Sequence, residues 1–397
     1  MSAADETRFK KRSLILPVFL PSVLFSVGEA AFLPLLPARA TDFGADIPTA
    51  GIIAGLVMLG TLFFDVPAAR LVNRFGERNS MLVAAMVAGS AIAAGSFANN
   101  LGWLGAAAFV SGSMVSVFGL ARHGYMASEV PLDIRARSLA LLGGTFRFGA
   151  FVGPMLGAAM VVTIGMAGAF LVSGILCALA SIVLWFVPAA ADDTRSADQT
   201  TLAHTWTIAK RERHSLLTVG VGSAILGALR TARTVGLPLW ALSIGLHPAE
   251  SSFYIGVAGL VDFGLFYVSG QIMDKYGRRW AAIPTLLGLA FGQFILLLAF
   301  DGASFLTVAV VMSLANGLGS GLILTIGADQ APADARAEYL STYRLLTDLG
   351  VAVTPPLISS IAAVATLGAS VVTMGVISLA GAAIMWRYLP NRPRYQQ

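Results

Sequence analysis

Seven ionisable residues stand inside long apolar stretches of this chain: Glu29, Asp65, Arg147, Arg230, Arg233, Asp262 and Asp348. A charge in the middle of a bilayer costs about 2.5–3.5 kcal/mol by insertion scales, so each needs a partner or a task. Arg122 and Arg344 lie nearer the ends of such stretches, and the total, four acids against five bases, predicts pairing. A carboxyl beside a guanidinium in a low-dielectric setting can also take up and release a proton. Glu29, Asp65 and Asp348 are the candidate proton-coupling acids. Other chemistry finds little support. His123, His204, His214 and His247 form no metal-ligand spacing, and no G-x-x-x-x-G-K loop appears. The lone Cys177 excludes a disulfide framework or a thiolate site. No metal, cofactor or catalytic residue is expected, and the chain does not read as an enzyme.

The elements that must hold those charges follow from composition. Of 397 residues, 56% are hydrophobic and only 12% charged, with a mean hydropathy of +0.78 and a pI near 9.6. A soluble protein carries roughly 25% charged residues. That deficit excludes an ordinary cytosolic enzyme, a disordered chain and a nucleic-acid binder, and it leaves an integral membrane protein embedded in a lipid bilayer. One span needs about 20 apolar residues. Four runs lack Asp, Glu, Lys and Arg altogether: Ser80–Ala121, Phe148–Ala191, Gly302–Ala328 and Leu349–Trp386. The first, second and fourth are too long for one span and carry turn signals at Asn99-Asn100, Gly165 to Gly168, and Thr366 to Gly368. The expected spans are 14–37, 49–72, 80–97, 101–127, 138–163, 168–187, 215–243, 251–273, 280–300, 304–327, 339–365 and 369–388. The basic start followed by an apolar run and Ala38-Arg39-Ala40 has the look of a signal peptide. Its run, nearer 24 residues than the roughly 7–15 of such a peptide, is read as span 1.

Basic residues cluster on one side. They include Arg8, Lys10, Lys11 and Arg12 in the N-terminal tail, then Arg74, Arg78, Arg135 and Arg137 after spans 2 and 4. Arg195, Lys210, Arg211 and Arg213 follow span 6, Lys275, Arg278 and Arg279 span 8, Arg336 span 10, and Arg392 and Arg394 close the chain. Only Arg39 falls on the other side. Positive-inside bias then predicts both termini in the cytoplasm, in an inner (cytoplasmic) membrane.

A shift of 201 residues superposes the two halves without a gap: Gly76 on Gly277, Arg78 on Arg279, Pro131 on Pro332, Arg135 on Arg336, Gly149 on Gly350, Pro154 on Pro355 and Pro37 on Pro238. The same shift places Glu29 on Arg230 and Arg147 on Asp348, opposite charges at symmetric positions. So long a period is a duplicated six-helix domain. The expected division is 1–187, a polar cytoplasmic linker at 188–214, and 215–397.

Two motifs give these halves a family resemblance. The loop Gly270-Gln-Ile-Met-Asp274-Lys275-Tyr-Gly277-Arg278-Arg279 resembles the G-x-x-x-D-R/K-x-G-R-R/K signature of the major facilitator superfamily. The equivalent loop after span 2, with Asn73, Arg74, Gly76 and Arg78, is a weaker copy in which Ala69 replaces the first Gly and Asn73 the Asp. The stretch Gly149-Ala-Phe-Val-Gly153-Pro154-Met-Leu-Gly157-Ala158 resembles the G-x-x-x-G-P-x-x-G-G motif of the drug:proton antiporter branch. Its glycines, four apart, stack on one helical face and permit close packing, while Pro154 permits a bend. A third feature of that branch, an Arg in the middle of span 4, is replaced by Ala106 to Ala108, and Arg122 reads as too near the end of the span.

The resemblance implies an all-α membrane protein, twelve transmembrane helices in two pseudo-symmetric six-helix bundles. Alternating access in the family exposes a central site to each side in turn. Spans 1 and 7 line that cavity in the family, which makes Glu29, Arg230 and Arg233 its candidate lining; the two arginines, three apart, share a face. Spans 5 and 8 and spans 2 and 11 abut across the family's domain interface, which implies the inter-bundle pairs Arg147 with Asp262 and Asp65 with Arg344. The loop acid, Asp274, is implied to lock the cytoplasmic side. The expected function is proton-coupled export of small hydrophobic or amphiphilic compounds by a monomer. The alternatives are transport of anionic or zwitterionic solutes through Arg230 and Arg233, and a non-transporting membrane sensor of the same fold.

Overall fold

A computed structural model describes residues 15–130, 132–187 and 202–390. Among them the chain is helical, with no strand. Arg8, Lys10, Lys11, Arg12, Pro131, Arg195, Arg392 and Arg394, and the linker over 188–201, lie outside the described residues. The spanning helices are α1 (Pro17–Thr41), α2 (Ile47–Phe75), α3 (Glu77–Ser96) and α4 (Leu101–Met126), then α5 and α6 within Leu132–Trp185. They continue as α7 (Arg213–Ser243), α8 (Pro248–Tyr276), α9 (Arg279–Leu296), α10 (Gly302–Gln330), α11 (Ala333–Val364) and α12 (Leu367–Tyr388). By length and apolar composition these match the expected spans. Within Leu132–Trp185 the helix is interrupted at Gly165, whose φ of +78° only glycine adopts readily, so that stretch supplies two passes.

The expected turns carry the predicted chemistry. Asn100 caps α4 by accepting from the Trp103 backbone N–H, and Asp301, its partner under the 201-residue shift, caps α10 by accepting from Ser304 in a capping box. Accepting those bonds lowers the Asp301 carboxyl below the usual aspartate range. Thr366 caps α12 in the same way. The repeat extends to backbone torsions: Gly44 and Gly245, and Gly76 and Gly277, all have positive φ.

One expectation is corrected. Span 10, read as continuous over 304–327, is broken. Its first half ends at Leu318, Gly321 takes φ +73°, and a second half resumes at Leu322 and runs to Gln330. Gly-Ser-Gly at 319–321 lowers the cost of that interruption.

The structure divides into two compact units. The first comprises Met1–Gly44, Leu56–Ala197 and Pro248–Gly256. Its core holds Phe25 stacked on Phe118 at 4.1 Å and Phe32 edge-on to Phe170. The start of α8 belongs to this unit, where the Ser252 hydroxyl donates to the Pro154 carbonyl at 2.8 Å. The second comprises Ala45–Gly55, Asp198–His247 and Val257–Gln397. There the start of α2 packs on α11, so that a Cβ on Gly55 would lie 2.5 Å from the Pro355 ring. A short helix, Leu202–Arg211, joins this unit through Arg211, which donates to both carboxylate oxygens of Asp334 at 2.7 and 3.1 Å.

Candidate functional site

In the first unit the polar chemistry gathers around α1. The stacked glycines of α5 press directly on it. A Cβ on Gly153 would lie 2.7 Å from the Ala30 Cβ, and one on Gly157 would lie 2.5 Å from the Ala31 carbonyl. Gly149 meets Ser26 just as closely. Any larger residue would push α5 off α1. Pro154 is buried in the same face. Glu29 is thereby held, half-buried, on a helix with close backbone neighbours; behind it Gly28 abuts Cys177 of α6.

Within this unit Arg122 is the charge that acts on Glu29 electrostatically, and the stacked Phe25 and Phe118 stand one turn before each of the two. Arg122 is 4% exposed, and its guanidinium lies 3.9 Å from the centre of the Phe146 ring. Its Nε and Nη1 have no hydrogen-bond acceptor among the described residues. Sequence reasoning had set Arg122 aside as too near the end of the span. Counting Cα depth missed the direction of the side chains. In a helix each Cα–Cβ bond tilts toward the N-terminus. An odd and an even pass run in opposite directions, so Glu29 and Arg122 lean toward each other. Asp65 of α2, in the same unit, accepts from the Ser116 hydroxyl of α4 at 2.6 Å. Arg147 is half-buried on α5.

In the second unit α10 is the focus. Arg230 of α7 donates through Nη2 to the Gly319 carbonyl at the helix break, at 2.5 Å. Arg233, one turn on, donates to Ser313 at 2.6 Å and lies 3.5 Å from the Asp262 carboxylate of α8. Asn316 donates to the same Asp262 oxygen at 2.7 Å. The shared face read for Arg230 and Arg233 is therefore present, and both reach α10. Asp348 and Arg344 pair one turn apart on α11 at 3.3 Å, with Arg344 largely exposed. Arg147 and Asp262 belong to different units, as do Asp65 and Arg344, and Glu29 and Arg230; these three pairings stand as proposals.

The loop motifs divide their work. Arg78 donates to the Trp185 carbonyl at 2.9 Å, and its repeat partner Arg279 donates to the Leu389 carbonyl. Each arginine thus satisfies a carbonyl at or just beyond the end of the sixth helix of its half, where the dipole favours a cation. Arg278 binds Asp329 at 2.5 Å and the Met273 carbonyl at 3.1 Å. Gly76 and Gly277 supply the turns. Gly270 is half-buried, while Asn73, Arg74 and Lys275 are exposed. Asp274 is also exposed and makes no ion pair among the described residues.

A cavity of about 690 Å³ opens between α5 and the start of α8, within the first unit. Its wall includes Ala158, Ala159, Phe253 and Tyr254, with Glu250 as its one carboxylate. The residues that sequence reasoning missed are Ser313, Asn316 and Asp329. For Ser313 and Asn316 a signal existed: they are polar side chains inside the charge-free run that begins at Gly302.

A dozen apolar passes, a duplicated half and charges paired inside the helices define a membrane transport fold. The family comparison agrees: the model of the Major Facilitator Superfamily matches residues 18–326 and 219–397, and the chain belongs to that superfamily of transporters. The chain is 24% identical over 371 residues to a chloramphenicol resistance protein of Streptomyces lividans, covering 92% of this chain and 93% of that one. It is also 32% identical over 104 residues to the arabinose-proton symporter of Bacillus subtilis, 26% of this chain and 21% of the symporter. The crystal structure of a D-xylose-proton symporter superposes with a TM-score of 0.73 at 17% identity, covering 96% of this chain and 98% of the other.

Proposed function

We propose that this transporter exports small hydrophobic or amphiphilic compounds in exchange for protons, by alternating access of two six-helix bundles, as a monomer in the cytoplasmic membrane with both termini inside. The observation that carries the reading is Glu29, half-buried in α1 and electrostatically coupled to the buried Arg122 of α4, on two helices held together by the Phe25–Phe118 stack. Ionised, Glu29 neutralises Arg122; protonated, it releases that charge. A cationic or amphiphilic substrate that replaces either partner then competes with the proton, which is the minimum requirement for antiport. Such a ligand drives the cycle only through its differential affinity for the two states. The resistance protein that aligns along 92% of the chain supports export. The open, mostly apolar groove beside α5, where Val162 is 75% exposed, offers a surface on which an apolar compound can rest.

Reconstitution into liposomes with an internal pH-sensitive dye tests this, with chloramphenicol first in a panel of apolar compounds. Substrate addition should collapse an imposed pH gradient, and Glu29→Gln should abolish that while sparing exchange that needs no proton cycle. If Glu29→Gln still concentrates substrate with the proton gradient, Asp65 or Asp348 becomes the coupling acid. A protein that moves neither substrate nor protons would be a sensor. The rival reading, an anionic solute bound by Arg230 and Arg233, is weakened because both arginines already donate to α10.

A further inference from the structure

Around Asp262 the structure holds half of a hydrogen-bonded ring. The Asn316 Nδ2 donates to Asp262 Oδ2 at 2.7 Å. The other end of the same amide, Asn316 Oδ1, is buried and accepts nothing among the described residues. Asn316 is 6% exposed and Asp262 7%. A buried carbonyl without a donor calls for an explanation. Here its neighbour is a carboxylate, a group that becomes a donor when it gains one proton.

We propose that Asp262 is a proton-binding site and that Asn316 is the residue that recognises its protonated form. A hydronium ion delivers its proton to Asp262 Oδ1 and leaves as water. The new O–H donates to Asn316 Oδ1, while the Asn316 N–H remains on Asp262 Oδ2. Acid and amide then close a planar, doubly hydrogen-bonded pair, and the orphaned carbonyl is satisfied. The carboxyl loses its charge, so the ion pair with Arg233 Nη2, 3.5 Å long in the ionised arrangement, is lost. Arg233 keeps the Ser313 hydroxyl at 2.6 Å, and its charge is no longer balanced by Asp262. Protonation is thereby converted into a weaker hold between α7 and α8.

The other charges near this cluster are few. On α7, Arg230 lies one turn before Arg233 and is engaged with the Gly319 carbonyl. On α10 the half Gly302–Leu318 contributes neutral Ser313 and Asn316 and no ionisable residue. The helix Arg279–Leu296 carries only Arg279, at its start. On α8 itself Asp262 is the only ionisable residue between Tyr254 and Tyr267. Arg147, proposed from sequence as an inter-bundle partner of Asp262, belongs to the other unit, and Arg147→Met belongs in the test.

The proposal rests on the proton-coupled reading for its use in transport, but proton binding is measured without it. Substrate-free protein in lipid nanodiscs is subjected to a pH jump, and the infrared C=O stretch of the newly formed carboxylic acid is recorded. One such band should vanish in Asp262→Asn and persist in Glu29→Gln. Asn316→Leu should move that band to higher frequency and shift its titration midpoint by about one pH unit, a tenfold change in proton affinity. Asn316→Thr, which keeps one hydrogen-bonding group, should shift it less. If Asp262→Asn does not fold, Asp262→Glu must still displace the band. A band that survives Asp262→Asn, or one indifferent to Asn316→Leu, overturns the proposal. So does a midpoint that depends on Arg147→Met alone. Loss of substrate-driven proton flux with this band intact would sink the export reading and leave this one standing. Flux that persists in protein lacking the band would do the reverse.

Discussion

Arg230 and Gly319 lie 89 residues apart, and the guanidinium of the first donates to the carbonyl of the second at 2.5 Å. The carbonyl sits where α10 breaks, at the end of its first half. That end carries about half a negative charge, and its carbonyls lack the usual helical donors; the Leu322 N–H supplies one bond to the Gly319 carbonyl at 3.1 Å and Arg230 the other. In a bilayer no water substitutes for the missing donor. Ser269 shares the task, donating to the Leu318 and Ser320 carbonyls at 2.7 and 3.1 Å.

Removing that cap should therefore destabilise the fold. Arg230→Met removes one of the two donors to the Gly319 carbonyl, leaving only the Leu322 N–H at 3.1 Å, at a cost of about 1 kcal/mol. Gly321→Ala forces a Cβ into the left-handed region, at about 1–2 kcal/mol. Thermal unfolding in detergent measures both, and an unchanged midpoint for either would show that the break does not depend on that residue.

Glu29 and Arg122 should behave as a coupled pair. Arg122→Met alone should weaken substrate binding more than Glu29→Gln with Arg122→Met together, because the double change leaves no uncompensated charge. Contacting charges show coupling of about 0.5–3 kcal/mol, whereas distant ones add. Binding of a fluorescent substrate to all four proteins gives the cycle, and strict additivity would place Arg122 outside the site.

The exposed Asp274 is expected to act in only part of the transport cycle. Asp274→Asn should reduce the transport rate of correctly inserted protein in vesicles while leaving its thermal stability unchanged, since it holds no ion pair among the described residues. Full activity would mean that a hydrogen bond suffices at this position.

Arg147 and Asp262 are proposed to meet in one access state. Neutralising either should shift the balance between inward and outward accessibility, and neutralising both should restore part of it. Labelling of single cysteines in a Cys177→Ala background reports the balance.

The short helix Leu202–Arg211 should detach in acid. Hydrogen bonds from Arg211 hold the Asp334 carboxyl below the usual aspartate range. A depressed carboxyl stabilises the folded state above its unfolded value of 3.8, and that contribution is lost as pH falls through the lower folded value. Amide-exchange protection of this helix, corrected for intrinsic rate, should therefore fall below about pH 4. It should also weaken in high salt, because the pair is exposed.

The spans, the twelve passes and the duplicated half were all readable from residue order. They rest on local properties: about 20 apolar residues suffice to cross a bilayer, and caps such as Asn100, Asp301 and Thr366 act on backbone groups three residues away. The glycines of α5 were legible as a packing face for the same reason, since their spacing alone sets them on one side of a helix. The choice of partners was not. Depth counted along a helix separated Glu29 from Arg122, but side-chain tilt on two antiparallel helices joins them. A charge census of α10 passed over Asn316, because an amide carries no charge and becomes informative only when one of its ends is seen to be left unpaired. The break at Gly319–Gly321 likewise depended on Arg230 and Ser269 arriving from α7 and α8 to satisfy the freed carbonyls. Only the packed structure brings those donors there.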